Sequence, residues 1–229
     1  MAITLVAAGT FTEKASGAPI SVPYPAGLAA NDVLVLIMGG NSATVIGTQT
    51  GYTTDKSNAS TGDTLVPDLY IGHKFATGSE SGTFSATSGA GAGFGQILAF
   101  RGVDLTTPID TTPGFGDKTL TNTPNLPIAS AMTTTTPGVA LVYGAVQNAA
   151  TGPMTEPSVP AAFTETGDRV AQRNASTGYL IWSGSGSTGI ISVTGNGNSR
   201  GLVTVIALRP AAAAGVALPD LMMAPRIGV

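Results

Sequence analysis

Hydrophobic residues in this chain come in short runs, each closed by Gly, Pro, Asn, Asp or Ser. The runs that carry the Val, Ile, Thr and aromatic residues suited to a pleated surface are Ile3–Ala7, Asp32–Met38, Leu69–Phe75, Thr83–Thr87, Phe94–Phe100, Val139–Gln147, Asp168–Arg173, Tyr179–Ser183, Ile190–Thr194 and Leu202–Leu208. Within Leu69–Phe75, a period of two puts Leu69, Ile71, His73 and Phe75 on one face and Tyr70, Gly72 and Lys74 on the other. Val33–Met38 and Leu202–Leu208 are apolar almost throughout, which predicts central strands covered on both faces. No stretch of ten or more residues combines helical periodicity with caps. Strands recurring at about 8–12 residues without helices between them predict an all-β protein, a sandwich or barrel, of which a jelly-roll-like β-sandwich is the expectation.

The pattern repeats. Asn58-Ala59-Ser60-Thr61-Gly62 returns letter for letter as Asn174-Ala175-Ser176-Thr177-Gly178. Around it, Asp32–Leu36 is echoed by Gly138–Val142, and Gly51-Tyr52-Thr53 by Ala162-Phe163-Thr164. Leu69–His73 is then echoed by Tyr179–Ser183, Thr83–Thr87 by Ile190–Thr194, and Ile97–Arg101 by Val205–Arg209. The expectation is a sandwich over residues 1–209 built from two echoing halves, about 1–110 and 118–209. Each half is thin for an independent sandwich, which favours one joint core over two tandem small ones. Residues 210–229 read as an extended C-terminal arm, because Pro219 and Pro225 forbid a continuous helix or central strand. Its large apolar side chains, Val216, Leu218, Leu221, Met222, Met223, Ile227 and Val229, are expected to form an assembly interface on another protein chain.

Composition narrows the function. The chain has 229 residues, 42% of them hydrophobic, enough for a core and against disorder throughout. Charged residues are only 10%, with 10 Lys+Arg against 13 Asp+Glu and a net charge of −3. With no basic cluster to neutralise phosphates, nucleic-acid binding is not expected. Zero cysteines remove disulfides, thiolate catalysis and cysteine-type zinc sites. The longest apolar run, Val33–Met38, is far short of the ~20 residues that cross a bilayer, so no membrane partner is expected. Met1–Lys14 has no positive charge before its short apolar stretch, so a secretory signal is not expected there, and the chain is expected to be made in a cytoplasm and not exported by that route.

Each candidate for chemistry has a plainer reading. Gly197-Asn198-Ser199-Arg200-Gly201 has the spacing of a nucleophile elbow, but a strand-like run follows it and the one histidine lies far upstream. Gly184-Ser185-Gly186-Ser187-Thr188-Gly189 has the spacing of a dinucleotide loop, yet another strand candidate follows where a helix is needed. Both read as β-turns. His73 alternates with apolar neighbours, as a satisfied, partly buried histidine does. Asp55, Asp63 and Asp68 lack the spacing of a calcium loop and read as turn formers. Asn58 and Asn174 stand in glycosylation sequons that carry no weight without export. Trp182, inside Tyr179-Leu180-Ile181-Trp182, reads as core or interface in place of a sugar platform. The expectation is a non-enzyme without cofactor or metal.

Several segments then resemble a known pattern. Residues 27–35, Gly-Leu-Ala-Ala-Asn-Asp-Val-Leu-Val, are similar to the opening of β-sandwich virion proteins of tailed bacteriophages, with Asn31 where Gly is usual. Gly51-Tyr52-Thr53 resembles their Gly-Trp-Thr turn, and Leu69-Tyr70 with Lys74-Phe75-Ala76-Thr77-Gly78-Ser79-Glu80 resembles one of their strand-and-turn segments. Phe100-Arg101-Gly102-Val103-Asp104 with Pro108-Ile109-Asp110 is similar to another. The resemblance covers residues 20–110 well and the second half weakly, and its motifs are those of a scaffold. It implies a structural virion protein, a capsid-decoration or minor tail protein, that is homo-oligomeric (a trimer being one option) and partnered by other capsid or tail proteins. The alternative it leaves open is a glycan-binding host-recognition module of the tail.

Overall fold

The computed structural model describes residues 1–15, 19–40, 46–58, 67–89, 91–118, 125–127, 132–148, 155–158, 163–169, 173–194 and 200–212. Among these there is no helix. The strands are β1 (Thr4–Ala8), β2 (Thr12–Lys14), β3 (Ile20–Pro23), β4 (Val33–Gly40), β5 (Thr53–Asn58), β6 (Asp68–Phe75), β7 (Thr83–Ala86), β8 (Gly93–Arg101) and β9 (Gly114–Lys118). They continue as β10 (Asn125–Pro127), β11 (Thr133–Thr134), β12 (Val139–Asn148), β13 (Thr155–Ser158), β14 (Thr164–Arg169), β15 (Arg173–Trp182), β16 (Gly186–Ser187), β17 (Ser192–Thr194) and β18 (Gly201–Leu208).

Two large antiparallel sheets dominate. The first runs β1-β8-β4-β6-β5, with β2 also on β8; the second runs β14-β15-β12-β18-β9. They pack face to face over a joint apolar layer in which Val33, Val35, Ile37, Leu69, Ile71, Leu98 and Phe100 meet Ala140, Val142, Val146, Leu202, Ile206 and Leu208. The backs of both sheets are covered too. On the first, the antiparallel β3–β7 pair sets Ile20, Val22 and Ala86 against Leu34, Leu36, Met38 and Ile97. On the second, Ile191 and Val193 of the β17 region lie against Leu141, Tyr143, Val203 and Val205. Three apolar layers explain why β4 and β18 are buried at every position, as their continuous apolar runs predict. The joint core therefore exists, with an outer layer added to each half.

Read from its own edge, each large sheet has the same order: β5-β6-β4-β8-β1 in the first and β14-β15-β12-β18-β9 in the second. Val33 stands opposite Phe100, and Ala140 opposite Leu208, so matching Phe100 to Leu208 matches Val33 to Ala140. The echo of Asp32–Leu36 with Gly138–Val142 is thus one residue out of register. A one-residue slip exchanges faces: Val33 looks into the joint layer, whereas Val139 looks into the outer one. Likewise His73 corresponds to Tyr179, through Val33 opposite Phe75 and Ala140 opposite Ile181. Leu69–His73 thus matches residues 175–179, not Tyr179–Ser183. Asn58 and Asn174, which open the identical pentapeptides, do not correspond. Asn58 ends edge strand β5, while Asn174–Gly178 lies inside β15, the counterpart of β6.

The strand boundaries of this region also differ from the sequence expectation. Residues 174–178, which stand between the expected strands Asp168–Arg173 and Tyr179–Ser183, are strand. Their polar side chains are buried but bonded: Ser176 Oγ to Tyr143 Oη at 2.6 Å, and Thr177 Oγ1 to Gln96 Oε1. The strand expected at Asp168–Arg173 is β14, ending at Arg169.

The centre of the joint layer is asymmetric. By the same matching Gly144 is the counterpart of Ile37, and the two face each other. A Cβ on Gly144 would stand 2.5 Å from Ile37 Cγ2 and 3.4 Å from Leu69 Cδ1. Glycine here admits the isoleucine of the opposing sheet, so the halves meet as knob and hole.

Gln96 ties the halves together beside this point. Its Nε2 donates to the carbonyls of Gly9 and Thr166, each at 2.9 Å, and its Oε1 accepts from the hydroxyls of Thr166 and Thr177. One side chain of β8 thereby holds β14 and β15 of the opposite sheet.

Candidate functional site at the arginine–aspartate end

Two arginines in matching positions close one end of the sandwich. Arg101 ends β8, and its Nε and Nη2 donate to Asp32 Oδ1 and Oδ2 at 2.8 and 2.7 Å. Asp32 is nearly fully buried and also accepts the N–H of Ala29 at 2.8 Å. Burial pushes its pKa up, but the Arg101 hydrogen bonds, the Ala29 N–H and the Arg101 charge outweigh that and leave it below the ordinary value. Asn31, next to it, has φ of 71°, the left-handed conformation that Asn tolerates in place of Gly.

Arg209 follows β18. Its Nε donates to Asp110 Oδ1 at 3.1 Å, and its Nη1 and Nη2 reach Thr107 Oγ1 and the Asp110 carbonyl. Asp110 also accepts the N–H and hydroxyl of Thr135 at 2.6 and 2.8 Å. Burial opposes its ionisation; the Thr135, Thr136 and Arg209 hydrogen bonds more than offset that, and its pKa lies below the ordinary value. The first arginine thus uses the aspartate before β4, while the second uses one from the connection between the halves. Asp104 caps the same connection by accepting the N–H groups of Thr106 and Thr107 at 2.8 and 2.9 Å.

The chain leaves this end along a short bridge. Pro210 pairs with Val103, Ala211 N donates to the Gly102 carbonyl at 2.8 Å, and the Met1 amine donates to the Ala211 carbonyl. Gly102 has φ of +86°, and a Cβ there would run into the Ala2 carbonyl, so this crossing requires glycine. Beside the bridge lies an open cleft of about 220 Å³. Met1, Ala30, Val103, Leu105 and Ala211 supply apolar walls, and the Arg101–Asp32 pair forms one side. Leu105 is half exposed, and so is the Arg101 side chain.

The remaining candidates are spent on structure or lie elsewhere. His73 Nδ1 bonds both carboxylate oxygens of Asp55 at 2.8 and 2.9 Å, and both side chains are buried. That pairing engages Asp55, Asp68 is buried at the start of β6, and Asp63 lies outside the described residues. Among the described residues, no three His, Cys, Asp or Glu side chains cluster as metal ligands. Ser199, Val216, Leu218, Leu221, Met222, Met223, Ile227 and Val229 also lie outside the described residues. Trp182 is half-buried against the outer layer of the second half, and Tyr24, Tyr52, Tyr70, Tyr143 and Tyr179 are all buried or half-buried. Lys74 sits over the rings of Tyr24 and Tyr52, with Glu80 at 3.5 Å. Glu80 itself accepts the N–H groups of Thr77 and Gly78, closing the turn after β6.

The cleft was not legible in the sequence because its walls come from four separate segments. The signals pointing to it were the two runs of the resemblance that line it, within residues 27–35 and at Arg101-Gly102-Val103. No protein-family model matches the chain, and no curated protein or solved structure matches it.

Proposed function

We propose that this chain is a structural virion protein of a tailed bacteriophage, decorating the capsid or forming part of the tail, and assembled through protein–protein contacts. One observation carries the reading. The residues of the resemblance, Asp32, Arg101, Gly102, Asp104 and Asp110, are all used to lock the end of the scaffold from which the apolar C-terminal segment departs. Polar groups committed to mutual hydrogen bonds build a rigid platform, and an apolar segment leaving that platform supplies a means of attachment.

The matching strand order of the two large sheets supports reading the halves as an internal duplication within this scaffold. A glycan-binding tail module is the alternative. Tyr52, Tyr70 and Tyr143 are buried and Trp182, Tyr24 and Tyr179 half-buried, which weighs against it, since sugar stacking needs an exposed aromatic face. The test is mass spectrometry of gradient-purified phage particles from the source. The chain is expected in stoichiometric amounts relative to the major particle proteins. Presence in the lysate but absence from the particles overturns the proposal.

A further inference from the structure

The end of the sandwich closed by the two arginines gathers exposed apolar side chains. Among the described residues, five large hydrophobic side chains are exposed: Met1, Phe75, Leu105, Ile181 and Ile190. Met1 and Leu105 line the cleft beside Arg101. Phe75 stands opposite Val33, which stands opposite Phe100, the residue before Arg101. Ile181 stands opposite Ala140, which stands opposite Leu208, the residue before Arg209. Phe75 and Ile181 are thus matching positions of the two halves, and four of the five exposed side chains share one end. A single exposed apolar side chain is ordinary; several collected at one end mark an interaction surface.

The size and chemistry of this end fit a second copy of the chain. Five strands at ~4.8 Å make each large sheet about 24 Å wide, and the two sheets with their outer layers stack to roughly 30 Å. The end therefore covers on the order of 700 Å², and two copies joined there bury about 1,400 Å², inside the range of stable interfaces. Arg101 and Arg209 each spend their charge on an aspartate of the same chain, and Asp104 accepts the N–H groups of Thr106 and Thr107. Two such ends meet without an unpaired arginine between them.

The end is also self-complementary. Leu105 is half exposed, followed by the exposed Thr106 and Thr107. The cleft it borders, about 220 Å³, has room for an apolar side chain, given that ~150 Å³ takes a benzene ring. Because side chain and cleft adjoin, a twofold axis beside Leu105 sets the Leu105 of each copy at the cleft of the other, a closed, isologous contact. Within the cleft, Arg101 bonds through Nε and Nη2, and its Nη1 has no partner among the described residues. The matching nitrogen of Arg209 donates to Thr107 Oγ1 at 3.0 Å. Thr106 of the second copy, next to the incoming Leu105, carries the same hydroxyl.

We propose that this end of the sandwich is the twofold interface of a homodimer, in which Leu105 of each copy enters the cleft beside Arg101 of the other. This deepens the assembly reading above by naming one partner and the surface that holds it.

The test uses full-length chains. Light scattering after size exclusion is expected to give twice the monomer mass for wild type and the monomer mass for Leu105→Asp, whose fold is checked by circular dichroism melting. A second measurement needs no disruptive variant. Leu105→Cys and Ala30→Cys are made separately in this cysteine-free chain, one of them carrying a mass tag. When mixed, they are expected to cross-link to each other through a short bis-maleimide, because Ala30 lines the cleft that Leu105 enters. A monomeric wild type, a folded Leu105→Asp that stays dimeric, or the absence of the mixed cross-link overturns the inference. A dimer with the mixed cross-link, from a chain absent from phage particles, sinks only the virion reading.

Discussion

Exchanging the knob and the hole at the centre of the joint layer tests the packing of the halves most sharply. Gly144→Val adds three carbons on β12, the first of them within 2.5 Å of Ile37 Cγ2. Such overpacking costs roughly 3 kcal/mol or more when the facing sheet cannot retreat. Ile37→Ala removes three carbons from a fully buried side chain on β4, at a cost of about 2–5 kcal/mol. The double variant moves the same three carbons from one sheet to the other and conserves volume. It is expected within about 1.5 kcal/mol of wild type, against single costs that sum to at least ~5 kcal/mol, giving a favourable coupling of at least ~3.5 kcal/mol. Urea denaturation followed by the fluorescence of the single tryptophan, Trp182, reads all four corners of the cycle. Costs that add to within about 0.5 kcal/mol would refute the claim that these two positions face each other.

Three further outcomes follow from the polar groups. Gln96→Leu removes one hydrogen-bond partner from each of the Gly9 and Thr166 carbonyls and from the Thr166 and Thr177 hydroxyls and is expected to cost roughly 2–4 kcal/mol in urea denaturation; a loss under about 0.5 kcal/mol would contradict its role as a tie between the halves. Asp32, Asp110 and Glu80 all have folded pKa values held below their ordinary ones, so the stability they contribute is complete above about pH 4–5 and lost as pH falls through the depressed values. Melting temperature should therefore drop steeply below about pH 4, and Asp32→Asn should flatten part of that drop; a parallel profile in the variant would exclude Asp32 as a contributor. His73→Phe strands the buried Asp55 carboxylate and is expected to destabilise by roughly 3–5 kcal/mol, whereas His73→Phe combined with Asp55→Leu should recover most of that loss in thermal melts.

What could be read from the sequence follows the physics of burial. β4 and β18 were legible because apolar layers on both faces demand unbroken runs of Val, Ile and Leu, and no other environment in a β protein does so. β15 was not. Asn174, Ser176 and Thr177 are buried in it, yet they look like turn residues until Tyr143 and Gln96 are placed opposite them. The letter-for-letter pentapeptide misled for the same reason, since Asn58 ends an edge strand while Asn174–Gly178 lies in a central ladder. Edge strands β5 and β14 are polar and interrupted by bulges, so no alternation marks them. At the candidate site, Arg101 and Asp32 stood out individually, but their pairing spans 69 residues and that of Arg209 with Asp110 spans 99. Nothing local encodes such distances.

Particle incorporation tests the central claim, that this scaffold serves assembly, most directly. A phage lacking the chain would be complemented with wild type, with Leu218→Asp/Leu221→Asp, or with Ser199→Ala, and the copies per purified particle measured by quantitative mass spectrometry. Wild type and Ser199→Ala are expected at equal, stoichiometric levels, and the segment variant at background while remaining folded. Full incorporation of the segment variant, or loss of particle function with Ser199→Ala at normal occupancy, would contradict the account.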